Sequence, residues 1–303
     1  MCTIYAQTRR SCNSDITCSI RLILAFSFFI GLLCIGGPAQ GQNPQLLEVS
    51  TGRTQGLFAK EEVIQRAALF KSGKTSGIAL LVFRGWPGIA NLEQATDGLR
   101  SLNFMQSQVE SFLNNGISLV VVDCPTDERA MRDRFNPMAC DDGYRSSQKH
   151  AQDVIKIIAK LKEEHRLHEI YLFGHSYGTI SSKWLALNLG SDIKGSIHSA
   201  AQTVGGGGNY TAFANSAMRI DLKSIKTPML HIHHLNDRCR VTPYSPVKDY
   251  AEGNIVTVRG GKTNGDPCGG THYHSYEGRE SEASSAIIKW IQTREVLQFS
   301  GED

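Results

Sequence analysis

Gly174-His175-Ser176-Tyr177-Gly178 sets two glycines around a serine in the pattern G-x-S-x-G. An apolar run at residues 170–173 precedes it and a helical stretch follows at once, so the segment reads as strand, sharp turn, helix. Such a turn forces the serine into a strained backbone and lifts its hydroxyl clear of the sheet. The glycines are needed because side chains there would collide with neighbouring backbone. A serine hydroxyl attacks poorly until a base takes its proton, and histidine, with a pKa near ~6.5, suits that task. A carboxylate must then hold the imidazole tautomer and stabilise the imidazolium. In this architecture the partners follow in the order acid, then histidine, on loops after later strands. Asp237 follows the apolar run at 229–233, and His272 and His274 follow the run Ile255–Val258. Ser176, Asp237 and one of the two histidines can therefore supply nucleophile, acid and base. The competing reading of the motif is a plain strand-to-helix turn in some Rossmann-like protein.

Other clusters are weighed against this one. His231, His233, His234, His272 and His274, with Asp237, Cys239 and Cys268, invite a zinc site, because H-x-H on a strand puts both rings on one face. The Ser-acid-His order already uses Asp237 and one histidine, so packing is preferred for His231 and His233, and no metal or other cofactor is called for. Asp123 and Asp127 end the strand beside the serine turn and are a secondary candidate for the acid. His150 and Asp153 lie one turn apart on a helix and are read as structural hydrogen-bonding groups. The run Gly205 to Gly208 lacks the helix that a phosphate cradle needs and reads as a loop near the pocket. Asn209-Tyr210-Thr211 fits the N-glycosylation sequon.

The elements that must position these residues alternate in kind. Ile78–Phe83 and residues 118–122 are continuous apolar runs, as expected of strands buried on both faces. Val154, Ile157, Ile158 and Leu161 recur at helical spacing up to His165, and a helix after the serine turn runs to Leu189, where Gly190 stops it. Residues 193–199, 229–233 and Ile255–Val258 are further strands, and Ala283, Ile287, Trp290 and Ile291 mark a closing helix. Residues 46–70 are expected to supply leading antiparallel strands. The pattern predicts a mostly parallel central sheet flanked by helices.

The chain of 303 residues is 41% hydrophobic and 20% charged, an ordinary globular composition, and its formal charge is +3. No run of Lys or Arg exceeds a pair, so the electrostatic footprint of a nucleic-acid protein is missing. Arg9, Arg10 and Arg21 precede an apolar stretch at 22–35, which is shorter than the roughly 20 residues of a spanning helix. Gly36, Gly37 and Pro38 break it, and Ala39-Gln40-Gly41 offers the small residues of a cleavage site. Residues 1–41 are read as a signal peptide of a secreted or periplasmic protein with no stable membrane span after cleavage, the alternative being an uncleaved membrane anchor. Removal of the signal peptide takes Cys2, Cys12, Cys18 and Cys34 and leaves Cys124, Cys140, Cys239 and Cys268, an even set bound for an oxidising compartment.

Residues 78–295 resemble an α/β-hydrolase. Phe83-Arg84-Gly85-Trp86-Pro87-Gly88 resembles the oxyanion loop H-G-x-P-G, with Arg84 in place of the histidine; Gly174 to Gly178 resembles the nucleophile elbow. His274-Ser275-Tyr276-Glu277-Gly278 resembles the segment in which an aromatic residue and a glycine follow the base. The resemblance implies that residues 42–303 form an α/β-hydrolase domain without a large cap. It assigns Ser176, Asp237 and His274 as the triad, prefers His274 to His272, and gives the backbone amides of Trp86 and Tyr177 to the oxyanion. It implies a serine esterase acting on a small-molecule acyl substrate. Because the acid and base loops must meet in such a fold, it also implies a Cys239–Cys268 bridge, which leaves Cys124–Cys140 as the second pair. The alternatives are a silent binding protein on the same scaffold and a metal-binding protein using the histidines.

Overall fold

The computed structural model describes residues 43–130, 138–204 and 220–300. The expected leader (1–41), the Gly205 to Gly208 run and the sequon at Asn209 lie outside them. Eleven strands and six helices follow the chain as β1 (Gln45–Gln55), β2 (Glu61–Phe70), β3 (Ile78–Phe83), α1 (Val109–Asn114), β4 (Ile117–Val122), β5 (Arg129–Ala130), β6 (Ala139–Cys140), α2 (Asp142–Arg145), α3 (Gln148–His165), β7 (Glu169–His175), α4 (Gly178–Leu189), β8 (Gly195–Ser199), β9 (Met229–His234), α5 (Tyr244–Tyr250), β10 (Ile255–Val258), α6 (Glu280–Thr293) and β11 (Phe299–Ser300). Nine strands form one sheet in the order β1-β2-β4-β3-β7-β8-β9-β10-β11. β1 pairs antiparallel with β2, and β2 with β4, whereas β4, β3 and β7 to β11 are parallel. The leading antiparallel strands and the parallel body both match the expectation from sequence.

The period of two in the strands splits the core into two layers. Leu80 and Val82 of β3 pack with Phe104, Phe112, Ile287 and Trp290 on one face. Ala79, Leu81 and Phe83 pack with Val154, Ile157, Ile158 and Leu185 on the other. α6 therefore covers one face, and α3 and α4 cover the other, which is why β3 is apolar at every position. Ser147 caps α3 by accepting from the His150 amide, and Arg166 ends it in a left-handed conformation. The run at 193–199 enters the sheet only at Gly195; Ile193 instead packs into the layer beneath α4.

Register then decides where chemistry can occur. Phe83 lies opposite Gly174, His175 opposite Ser199, Ser199 opposite Ile232, and His234 opposite Val258. The carboxyl ends of β3, β7, β8, β9 and β10 thus come level along one rim. The chain order reverses at β3, with β4 on one side and β7 on the other, so a crevice opens at that rim between the loops after β3 and β7.

Candidate active site

Close packing, more than propensity, shapes the turn between β7 and α4. A Cβ on Gly174 would lie 2.4 Å from the Gly178 carbonyl oxygen, and one on Gly178 would lie 2.0 Å from that of Phe83. Neither position has room for a side chain. Between them Ser176 adopts φ of +53°, a left-handed conformation that a non-glycine residue holds only when its surroundings impose it. The surroundings here are the Ser176 amide donating to Ser199 O (2.9 Å) and the Thr179 amide and hydroxyl donating to Ser176 O (3.0 and 2.6 Å). Gly174, His175, Tyr177 and Gly178 are buried, while Ser176 is part-exposed and lines a cavity of about 720 Å³.

His274, Trp86, Tyr177 and His175 line the same cavity. Asp237 lies behind His274 in the tight turn after β9, its own amide bonded to His234 O. His274 Nδ1 is 3.0 Å from Asp237 Oδ2 and both side chains are buried. Asp237 also accepts from the Cys239 amide at 2.9 Å and from the Thr242 hydroxyl at 3.0 Å. Burial alone would push the Asp237 carboxyl up, but hydrogen bonds from His233 and His274 outweigh it and hold the group well below the usual carboxylate range. An ionised carboxylate only accepts, so His274 Nδ1 carries the proton and Nε2 the lone pair.

Of the two candidate histidines, the structure brings His274 to Asp237 and the cavity. His272 is buried with Nδ1 unpartnered, and its carbonyl accepts from the Ser275 and Glu277 amides. Asp123 is spent elsewhere: its carboxylate accepts from the amides of Ala90, Leu92 and Cys124 and pairs with Arg129 at 3.0 Å. It shapes the loop after β3. Asp153 is tied to Arg53 and to the Tyr144 hydroxyl, but the hydrogen-bonding role expected of His150 is not found. Both ring nitrogens of His150 lack partners, it packs edge-on to Phe83, and burial holds its pKa near about 3, so the imidazole is neutral packing material. Among the described residues no three His, Cys, Asp or Glu side chains gather as a metal site, and Cys239 is bonded to Cys268.

The two disulfides brace the two sides of the crevice. Cys239–Cys268, 29 positions apart in the chain, joins the acid loop to the loop that leads to His274. Cys124–Cys140, 16 apart, supports the loop after β3: the Cys140 amide donates to Pro87 O (3.0 Å), and the Tyr177 hydroxyl donates to Cys140 O (2.7 Å). Arg145 adds a second brace, donating to Gly88 O at 3.0 Å and to the Ser181 hydroxyl at 3.2 Å, with its guanidinium 4.6 Å from the Tyr177 ring centre. Arg84 donates to Ile89 O within the same loop.

Several residues that matter to this geometry were not singled out from sequence. His233, expected only to pack, has Nε2 shared between Thr242 O (2.9 Å) and Asp237 Oδ2 (3.2 Å). A buried chain also runs beneath the cavity: His175 Nδ1 to Ser199 Oγ (3.0 Å), Ser199 Oγ to Tyr276 Oη (2.8 Å), Tyr276 Oη to Ile232 O (2.8 Å). The carbonyl can only accept, so Tyr276 donates to it, Ser199 donates to Tyr276, and His175 Nδ1–H donates to Ser199. Burial, and then the nearby His274, push the His175 pKa well down, which agrees with this neutral tautomer. The chain links the residue before Ser176 to the residue two after His274. The aromatic in the His274 segment was visible in sequence; its hydroxyl's partners were not.

The architecture is that of the α/β-hydrolase fold. Est1E from Butyrivibrio proteoclasticus superposes with a TM-score of 0.52 at 13% identity, over 82% of this chain and 98% of that one. Dienelactone hydrolase from Anabaena variabilis superposes with a TM-score of 0.51 at 13% identity, over 84% of this chain and 98% of that one. No protein-family model matches the sequence, and no curated protein matches it. At this identity the likeness concerns the fold, and the chemistry must be argued from the site.

Proposed function

We propose that the protein is a serine hydrolase that cleaves an ester or related acyl bond of a small molecule through Ser176, His274 and Asp237. The observation that carries the reading is the buried Asp237–His274 hydrogen bond of 3.0 Å behind a cavity that His274 and the strained Ser176 both line. In the reaction His274 Nε2 accepts the proton of Ser176 Oγ as that oxygen attacks the acyl carbon. The oxyanion is received by the backbone amides of Trp86 and Tyr177, on the loop after β3 and at the start of α4. His274 then passes the proton to the departing alkoxide, leaving an acyl-Ser176 ester. Water, deprotonated by His274, attacks that ester; the acid leaves and Ser176 Oγ regains the proton. Asp237 stabilises the imidazolium in both halves and stays ionised, as its depressed pKa requires. Fully assembled oxyanion donors contribute about 10²–10³ in rate each, which fits the double bracing of both donor segments by Cys140 and Arg145.

A fluorophosphonate probe and a panel of short and long p-nitrophenyl esters test the reading. Labelling confined to Ser176 and ester turnover lost in Ser176→Ala support it. An unlabelled, inactive wild type would favour the silent binding scaffold. The same proposal places residues 42–303 as the hydrolase domain and residues 1–41 as a cleaved leader of an exported protein. The two disulfides accord with an oxidising compartment, and no helix among the described residues is long and apolar enough to cross a membrane. N-terminal sequencing of the exported form tests the cleavage.

A further inference from the structure

A second cavity, of about 560 Å³, opens between α4, β9 and α5 and shares no lining residue with the first. Lys183 of α4 lines it although the residue is only 2% exposed. An ammonium has three donors; among the described residues Nζ donates only to the Tyr250 hydroxyl at 3.2 Å, with the ring centre 5.1 Å away. Among the described residues no carboxylate pairs with it, and the segment 205–219, which follows the lining residue Thr203 closely, contains no Asp or Glu. The neighbours are also unspent. Among the described residues, Thr203 Oγ1 and His231 Nδ1 are buried without hydrogen-bond partners, and Tyr250, having accepted from Lys183, donates to none.

A buried cation without a counter-ion is costly, and unpaired polar atoms gathered on one cavity need an explanation. Packing supplies none, because an apolar side chain would fill the position of Lys183 without the penalty. Burial pushes its pKa down to about 8, so the site holds a proton only loosely while empty of charge partners. The groups facing the cavity are donors of the kind that a carboxylate accepts from. Ile220, Leu222, Met229 and Ala251 supply an apolar wall beside them. At the lining's charged edge, Asp221, Asp249 and Glu252 outnumber Lys223, so each added negative charge on a ligand is disfavoured.

We propose that this cavity binds a small monocarboxylate with an apolar body, its carboxylate seated on Lys183 Nζ, the Tyr250 hydroxyl and the His231 ring. The site is independent of the hydrolase reading, since none of its residues touches the first cavity.

Titration calorimetry on the full-length protein with hexanoate as probe and inorganic phosphate as control tests the assignment. Saturable hexanoate binding is expected, weakened about tenfold or more in Lys183→Met and several-fold in Tyr250→Phe, which keeps the ammonium and removes one donor. Ester turnover by Lys183→Met should match the wild type, which also reports that the variant is folded. Hexanoate held in the first cavity would be indifferent to both substitutions. Three results overturn the proposal: no saturable binding, a cavity then holding water only; equal affinity in wild type and both variants; or phosphate bound as tightly as hexanoate. A failure of Ser176 to support ester turnover would sink the hydrolase reading and leave the calorimetric outcomes unchanged, with circular dichroism then reporting the fold of Lys183→Met.

Discussion

The two cavities settle their buried charged groups, Asp237 and Lys183, in opposite ways. In the first, Asp237 is met by donors from His274, His233, Thr242 and the Cys239 amide, and the hydrogen bonds beneath it run without a gap from His175 to Ile232. In the second, among the described residues, Lys183 has one hydrogen-bond partner, and Thr203 Oγ1 and His231 Nδ1 have none. A buried carboxylate that fixes one imidazole tautomer needs donors around it, and Asp237 has them, although Gln202 Nε2 elsewhere on the same cavity is buried without a partner among the described residues. A site whose groups remain unspent is complete only when something from outside arrives. The difference explains why one carboxylate can be buried here at a depressed pKa while one ammonium is buried at a depressed pKa too: the first shift is stabilising and the second is not.

Breaking the first cavity should have the largest effects. Ser176→Ala and His274→Ala should each lower kcat for a p-nitrophenyl ester by about 10⁴ or more, and Asp237→Asn by a similar factor because it turns the imidazole into the wrong tautomer. An active His274→Ala with an inactive His272→Ala would reverse the base assignment. Opening Cys239–Cys268, by reductant or by paired Cys→Ser substitution, should cost about 10²-fold in kcat while the domain stays folded by circular dichroism. Unchanged turnover would mean that the loops hold their geometry unaided. Tyr276→Phe keeps the buried ring and removes the link from Ser199 to Ile232 O. A drop in kcat of about tenfold with KM unchanged is expected, since a small displacement of His274 affects the transition state more than binding.

The second cavity is sharpened by stability measurements. Lys183 has a folded pKa of about 8, below its unfolded value near ~10.4, so the unfolded chain binds the extra proton between those values. Stability of the ligand-free protein should therefore rise with pH across that window, and Lys183→Met should flatten the rise and lift Tm below pH 8. A Tm gap between variant and wild type that does not narrow from pH 7.5 to pH 10 would show that the buried amine carries no such penalty. Asp237 gives the opposite signature. Its folded pKa is depressed, so its contribution is present above about pH 4 and is lost as pH falls further. Asp237→Asn should remove that part of the acid sensitivity.

Much of this arrangement was legible in the sequence, for a physical reason. Strands buried on both faces are mostly apolar, so residues 78–83, 118–122, 170–173 and 255–258 declare themselves by composition. A turn with no room for Cβ must place glycine at 174 and 178, so the elbow is a local signal too. The assignment of Ser176, Asp237 and His274, and the pairing of Cys239 with Cys268, were legible only through the resemblance to an α/β-hydrolase, in which the loops after these strands meet; the structure has that bridge.

What the chain order could not decide is which buried polar atoms face each other across strands. His231 and His233 are two residues apart on β9 and alike as letters, yet one meets Asp237 and the other meets Lys183, His198 and Tyr250 only by proximity in a second cavity. His150 reads as a hydrogen-bonding helix residue and proves to be packing. Arg145, Ser199 and Tyr276 acquire partners 57, 77 and 44 positions away. Apolar pattern and glycine placement are dictated by the backbone of each segment, so they are written locally. Hydrogen-bond partnership and charge compensation depend on sheet register and on which loops converge at its rim, so only the tertiary structure decides them.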